Sequence, residues 1–353
     1  MRVLMVGVDR QTKGGMWTVA ENYLHSKEFV DCANLTYVAT SITGTIPKRL
    51  WFTAKALLKI AVQLIKREHD IVHVHMAERG SVYRKNLVIC LAKLFGCKVV
   101  IHMHGAEFET WYRGLKPKKQ HGIRRILNKA DKVLILGKYW ENFVCGLVDD
   151  EKKVCVVHNA VAVPAENQYN PDADKLLFLG VVGQRKGVFD LLQAIKKIEH
   201  QLPASAKLLL YGPEGERSVA GAIEELELQN RAEYKGWLPG EKRPEVFQQT
   251  AVNILPSYHE GLPMTILETM AYGIPNISTN VAAIPEAVKE DNGALICPGD
   301  IDSLAQTILE MMGNGAYRQQ KSRKAYETVK TEFSIENHVA KVLEIYRELE
   351  LKK

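Results

Sequence analysis

Short apolar runs rich in β-branched residues, RVLMVGV, TYVAT, DIVHVH, KVVIHMH, KVLILG and VCVVHNAV, recur along the first half of the chain between stretches of helical periodicity. Runs that are apolar at nearly every position suit strands covered on both faces, and their alternation with helices predicts βαβ units in a parallel sheet. After Val163 the pattern lapses: PAENQYNPDADK is polar, carries two prolines and has no period, which marks a linker. A second series follows, KLLFLGVV, AKLLLYG, AEYKGW, VNILPS and PNIST, with helical segments such as Phe189 to His200 and Leu304 to Met312 between its members. It predicts a second doubly wound α/β domain. In the tail, Ser334 to Leu351, the spacing of Val339, Val342, Leu343, Ile345, Tyr346 and Leu349 reads as a closing helix. The chain therefore divides into residues 1–163, 164–333 and 334–353, with no solenoid repeat or low-complexity tract.

At 353 residues the chain is long enough for two cores of about 150 residues each. The opening MRVLMVGVDR reads as a strand rather than a secretion signal, because no small-residue cleavage site follows its apolar run. The best candidate for a bilayer span, Leu50 to Ile65, is interrupted by Lys55 and Lys59 and falls short of the roughly 18 uncharged residues needed. Cys32, Cys90, Cys97, Cys145, Cys155 and Cys297 form no CxxC pair and sit mostly in apolar runs, as buried thiols of a reducing compartment would. A cytoplasmic protein is expected, at most peripheral to the inner face of a membrane. The formal charge of +6 conceals an asymmetry: residues 1–160 carry 26 Lys+Arg and 14 Asp+Glu, a net +12, and the remainder a net −6. Such a split points to a polyanion or an anionic bilayer meeting the first half alone.

Four strand-to-helix junctions hold residues able to carry chemistry. In NILPSYHEGLPMTILETMAYGIP a helix follows a strand, with Pro263 suited to its first turn, Gly273 to its C-cap and Pro275 beyond. The amides of Met264 and Thr265, with Gly261 and Leu262 just before, offer a diphosphate the unpaired N–H groups and positive dipole end of a helix start. Pro263 has no N–H to offer. Glu260 and Glu268 lie eight residues apart, at most about 12 Å along a helix, the scale of a diphosphate flanked by two sugars. By spacing alone, two surface glutamates around a buried helix fit at least as well.

In FLGVVGQRKGVFDLLQAI, Arg185 and Lys186 occupy a glycine-rich turn, where cations offset the charge of a departing nucleotide diphosphate; a solvated basic loop has the same pattern. In VGVDRQTKGGMWTVAENYL, Gly14 and Gly15 precede a helix and let backbone approach a ligand closely, and the absence of GxGxxG weakens any dinucleotide reading. In VVIHMHGAEF, His102 and His104 sit at the carboxyl end of a strand, where open α/β sheets bind ligands. A His-x-His metal pair needs further ligands, and no nearby His or Cys completes the set by spacing. Of two Asp-x-Asp pairs, Asp172/Asp174 fall in the linker and Asp300/Asp302 look like caps of the helix SLAQTILEMM, so no metal site is expected.

HEGLPMTILE resembles the E-x7-E motif of retaining glycosyltransferases of family four, and the likeness runs from the first strand to the closing helix. The resemblance implies the GT-B fold, two Rossmann-like doubly wound domains facing a cleft. The first would bind the acceptor, the second the nucleotide sugar, and the last helix would pack back toward the first. It implies transfer of a sugar, with retention, from a nucleotide-diphosphate sugar to a lipid-linked or polysaccharide acceptor. It implies a front-face substitution without a metal or other cofactor, in which the leaving diphosphate would help to accept the acceptor's proton. Glu260 would orient the donor sugar and stabilise its developing positive charge, and Glu268 would bind ribose hydroxyls. Lys186 with Arg185 would meet the diphosphate, His104 the donor sugar, and Gly14 with Gly15 the donor phosphate and acceptor. Gly212, Gly236 and Trp237, in YGPEGE and YKGWLPG, resemble positions near the base, although Trp237 also reads as a packing residue. The chain departs from the family at Val181, where an arginine often follows the strand glycine, and at Ala282 and Ala283, where two glycines are usual.

For the acceptor, residues 47–67 mix apolar side chains with Lys48, Arg49, Lys55, Lys59, Lys66 and Arg67, as a helix in an anionic membrane interface would; an amphipathic core helix shares that composition. RGLKPKKQHGIRR offers Arg113, Lys116, Lys118, Lys119, Arg124 and Arg125 to a pyrophosphate-linked lipid, and Arg79, Ser81, Arg84 and Lys85 follow the strand DIVHVH in position to face an acceptor. The run VHMAERGSVYRKN and the basic first half resemble transferases of bacterial surface polysaccharide assembly. Nucleic acid is disfavoured by the ordinary net charge and the lack of a reader motif. Two alternatives share the fold, a nucleotide-sugar isomerase such as a 2-epimerase and an inactive membrane-peripheral adaptor. Glu260, Glu268, Lys186 and the glycine loop together argue against the adaptor.

Overall fold

The computed structural model describes residues 1–12 and 15–351. It divides into two compact units, Met1–Ala160 with Ile335–Lys353, and Val161–Ser334. In the first, strands β1 (Val3–Gly7), β2 (Leu35–Ala39), β3 (Ile71–Met76), β4 (Lys98–Met103), β5 (Lys132–Ile135) and β6 (Val154–Val156) form one sheet in the order β2-β1-β3-β4-β5-β6. Every pairing is parallel. The helices are α1 (Gly15–His25), α2 (Lys27–Ala33), α3 (Ile46–Ile65), α4 (Gly80–Leu94), α5 (Phe108–Arg113), α6 (Pro117–Asn128) and α7 (Glu141–Cys145). β1 and β3 are buried at every position, as parallel strands sandwiched between helices must be.

The second unit repeats the architecture. Strands β7 (Lys175–Leu179), β8 (Leu208–Tyr211), β9 (Ala232–Gly236), β10 (Thr250–Leu255), β11 (Asn276–Thr279) and β12 (Gly293–Ile296) form a parallel sheet in the order β12-β11-β10-β7-β8-β9. Its helices are α8 (Val188–Ile198), α9 (Val219–Glu225), α10 (Arg243–Gln248), α11 (Met264–Ala271), α12 (Ile284–Ala287), α13 (Ile301–Gly313) and α14 (Gly315–Glu332). The polar stretch after Val163 is irregular and tied down on this unit, with Tyr326 Oη donating to the Pro164 carbonyl at 2.7 Å and Tyr169 Oη to that of Ala251 at 3.1 Å.

The last helix, α15 (Ile335–Leu351), belongs to the first unit, where it buries Val339, Val342, Leu343, Ile345, Tyr346 and Leu349. No helix among the described residues is long and apolar enough to cross a membrane. The expectation of mostly buried thiols is corrected: only Cys97 is buried, and Cys32, Cys90 and Cys297 are exposed. An apolar run does not say which helix face a residue occupies, and α4 turns Val82, Lys85, Val88, Ile89 and Ala92 inward, leaving Cys90 outside.

Candidate active site

In the second unit the switch in strand order falls between β10 and β7, and the carboxyl ends of these strands are where such a sheet takes ligands. After β7 the chain makes a tight turn, Gln184–Lys186, and enters α8 through Gly187. Gly187 has φ +71°, and a Cβ there would lie 2.0 Å from the Pro256 carbonyl oxygen. Only glycine permits so close an approach of the β7–α8 loop to the end of β10. The approach places Lys186 against Glu260, and the two form an ion pair with side chains 14% and 6% exposed. Glu260 Oε1 also accepts from Ser257 Oγ at 2.7 Å. Arg185 Nη1 donates to the His259 carbonyl at 2.8 Å, and the Tyr258 amide donates to the Arg185 carbonyl at 2.9 Å. Two loops far apart in sequence are thereby joined, with the Arg185 side chain left on the outside.

Glu260, Gly261 and Leu262 precede the helix, and only Met264 onward is helical, so the eight-residue spacing spans a loop and a little over one turn. Pro263 takes the N-cap rather than the first turn and makes no side-chain cap bond, leaving the first amides of α11, those of Met264 and Thr265 among them, without a capping side chain. Glu268 is enclosed one turn further on. Its Oε1 accepts from Arg243 Nη1 at 2.7 Å, while Oε2 is buried without a hydrogen-bond partner. Burial pushes this carboxyl above its ordinary range, and Arg243 pulls the other way. Arg243, on α10, and Ser257 were not anticipated. Ser257 lies three residues before Glu260, but nothing in the local pattern connects Arg243 with Glu268.

Along the same strand ends, Gly212 has φ +137° and would place a Cβ 1.7 Å from the Gly180 carbonyl oxygen, and its amide donates to the Gly236 carbonyl at 2.7 Å. Trp237, beyond the end of β9, is 43% exposed. Ala282, where the family resemblance calls for glycine, holds a left-handed φ of +49°. Asp300 caps α13, accepting from the Ser303 amide at 2.9 Å.

In the first unit the register of β3 with β4 sets His75 opposite His102. Alternate residues share a face, so His73, His75, His102 and His104 form a ladder of rings, with centroids 4.9 Å apart for His73 and His75, 5.4 Å for His75 and His102, and 4.2 Å for His102 and His104. His75 Nδ1 shares a hydrogen bond with His104 Nε2 at 2.7 Å, and His73 Nδ1 one with Tyr346 Oη of α15 at 2.5 Å. Burial holds all four rings neutral, reinforced by their neighbours' charge, with His73 and His104 pushed down to about 3. The companions that spacing did not supply for His102 and His104 thus come from the adjacent strand, and His73, His75 and His102 bring ring nitrogens within 4.8 Å of one another.

Gly15 opens α1, and Gly14 lies outside the described residues. Arg79, with φ +60°, caps α4 and pairs with Glu107 at 3.3 Å, and Ser81 Oγ accepts from the Ala77 amide at 3.2 Å. Lys85 does not face outward as expected. It is wholly buried, its Nζ donating to the Val6 carbonyl at 2.9 Å, the Gly7 carbonyl at 3.1 Å and Thr40 Oγ1 at 2.8 Å, so it ties together the ends of β1 and β2.

Residues 162–328 match the family described as Glycosyl transferases group 1, and residues 20–163 match Glycosyltransferase Family 4. A Klebsiella pneumoniae protein described as an uncharacterized 41.2 kDa protein in the cps region is 25% identical over 97% of this chain and 99% of its own length. The Escherichia coli UDP-Gal:alpha-D-GlcNAc-diphosphoundecaprenol alpha-1,3-galactosyltransferase is 25% identical over 85% of this chain and 80% of its own. Among solved structures, sucrose-phosphate synthase from Thermosynechococcus elongatus superposes over 100% of both chains with a TM-score of 0.79 at 16% identity. Anabaena HepE in complex with UDP and glucose covers 99% of this chain and 100% of its own, with a TM-score of 0.75 at 14% identity.

Proposed function

We propose, for a chain that belongs to the group 1 and family four glycosyltransferases of GT-B fold, that it moves a sugar with retention from a nucleoside diphosphate carrier to a lipid-linked saccharide in cell-surface glycan synthesis, without a metal. The observation that carries this reading is the Lys186–Glu260 pair beside the uncapped start of α11, with Glu268 on the same helix. Negative charge that builds on the departing diphosphate is met by Lys186, Arg185 and the first amides of α11, groups already in place before the reaction. Glu260, oriented by Ser257 and Lys186, opposes the positive charge that develops on the donor sugar. Glu268 Oε2 is a buried acceptor with no partner, a costly arrangement that a ribose hydroxyl relieves. His104 stays a neutral imidazole, so the part the family resemblance gives it is that of a hydrogen-bonding ring and not of a charge.

The acceptor class is supported by the named activity of the E. coli relative, which uses UDP-Gal and a diphosphoundecaprenol-linked sugar. It is supported also by α3, which buries only Ala56, Ile60 and Leu64 and leaves Ile46, Leu50, Trp51, Leu58 and Ile65 exposed among its lysines, as a helix lying on an anionic bilayer would. The test is transfer from a panel of nucleotide sugars to a polyprenyl-diphosphate saccharide, with the anomeric configuration of the product read by NMR. Inversion at the anomeric carbon would refute retention, and full turnover by Glu260→Ala would refute the role given to that carboxylate.

A further inference from the structure

α3 and α4 pack side by side in the first unit and leave a groove between them. Its walls are mostly carbon, from Ile46 and Leu50 on α3 and Tyr83 and Leu87 on α4, all four exposed. Two guanidinium groups stand in the same groove, those of Arg49 and Arg84, and no Asp or Glu lines it. Arg84 is half-buried, and its Nε has neither a hydrogen-bond partner nor access to water. Its basicity is lowered by that burial and by the positive charge of Arg49. Two like charges held together cost free energy while the groove is empty, and an anion bearing several oxygens removes that cost. Guanidinium forks match phosphate oxygens in particular.

A free phosphate would leave the four apolar side chains uncovered. Hydrocarbon running on from the anion covers them. The sequence's other candidate, α6, fits less well: Lys118, Lys119, Arg124 and Arg125 are all exposed, and the hollow beside them is lined by Asp149 as well as by cations.

We infer that the α3–α4 groove binds the phosphate-bearing lipid of the acceptor, with phosphate oxygens on Arg49 and Arg84 and the first carbons of the chain along Ile46, Leu50, Tyr83 and Leu87. The inference rests on the acceptor class proposed above and adds where that acceptor is held. It is tested by calorimetric titration of the full chain with farnesyl diphosphate, inorganic pyrophosphate and farnesol, with saturating UDP present to occupy the nucleotide site. Farnesyl diphosphate should bind at least about tenfold more tightly than either of the others. Arg49→Gln and Arg84→Gln should each weaken it about tenfold or more. Leu50→Ser with Leu87→Ser should weaken farnesyl diphosphate and leave pyrophosphate unchanged, and Lys118→Gln with Lys119→Gln should change neither. Arg49 is exposed, so its variant should keep the wild-type melting temperature even where Arg84→Gln does not fold. Equal binding of pyrophosphate and farnesyl diphosphate, or undiminished affinity in Arg49→Gln, overturns the groove. Wild-type protein that binds farnesyl diphosphate as described but no nucleotide sugar would sink the glycosyl-transfer reading and leave the groove standing.

Discussion

The histidine ladder should make the first unit acid-labile at a pH where most carboxylates are still ionised. His73, His75 and His102 are fully buried among Tyr23, Tyr346, His104 and His338, and burial lowers the basicity of each, His73 to about 3. The folded state therefore keeps them neutral, whereas the unfolded chain protonates them below the ordinary histidine value of about 6.5. The unfolded state binds more protons, so stability falls as pH drops from about 6.5 toward the folded-state values. Between pH 7.5 and 5.5 one such histidine costs roughly 1–2 kcal/mol, and three cost roughly 4 kcal/mol, a large share of a typical stability of about 5–15 kcal/mol. Urea titrations of the full chain at half-unit pH intervals, with hydrogen exchange of β3 and β4 peptides to isolate the first unit, measure this directly. His102→Leu should flatten the pH dependence by roughly 1–2 kcal/mol over the same range, the contribution of one proton. A midpoint that does not move between pH 7.5 and 5.5, or an unchanged slope in His102→Leu, would refute the reasoning.

Glu260→Ala should lower turnover by about 100-fold or more in steady-state transfer, because an electrostatic group aimed at developing charge is lost. Glu268→Gln should weaken nucleoside diphosphate binding by about tenfold in calorimetry, since it replaces a charged acceptor with a neutral one beside Arg243. Lys85→Met should destabilise the chain by about 2–4 kcal/mol in urea, because the Val6 and Gly7 carbonyls and the Thr40 hydroxyl lose a shared buried donor.

Much of the fold is written locally. Each apolar run quoted from the sequence coincides with a strand, since a parallel strand covered on both faces must be apolar at nearly every position. β12 was missed because it is a four-residue edge strand whose two middle positions are only half-buried, so its composition hardly differs from that of a loop. The turn carrying Lys186 and the loop before α11 were legible for the same local reason: glycine and proline mark where backbone must bend or end.

The site's pairings are another matter. Lys186 meets Glu260 across 74 residues, Arg243 meets Glu268 across 25, and His73 meets Tyr346 across 273. Each depends on which strands and helices are neighbours, and for the strands a one-residue slip in register would turn an alternating set of side chains to the opposite face. Residue types alone therefore marked the carboxylates and cations as candidates and the alternation as α/β. Only the assembled sheets decided that Lys85 is an internal tie, that four histidines stack on one face, and that Arg49 and Arg84 stand together without a carboxylate between them.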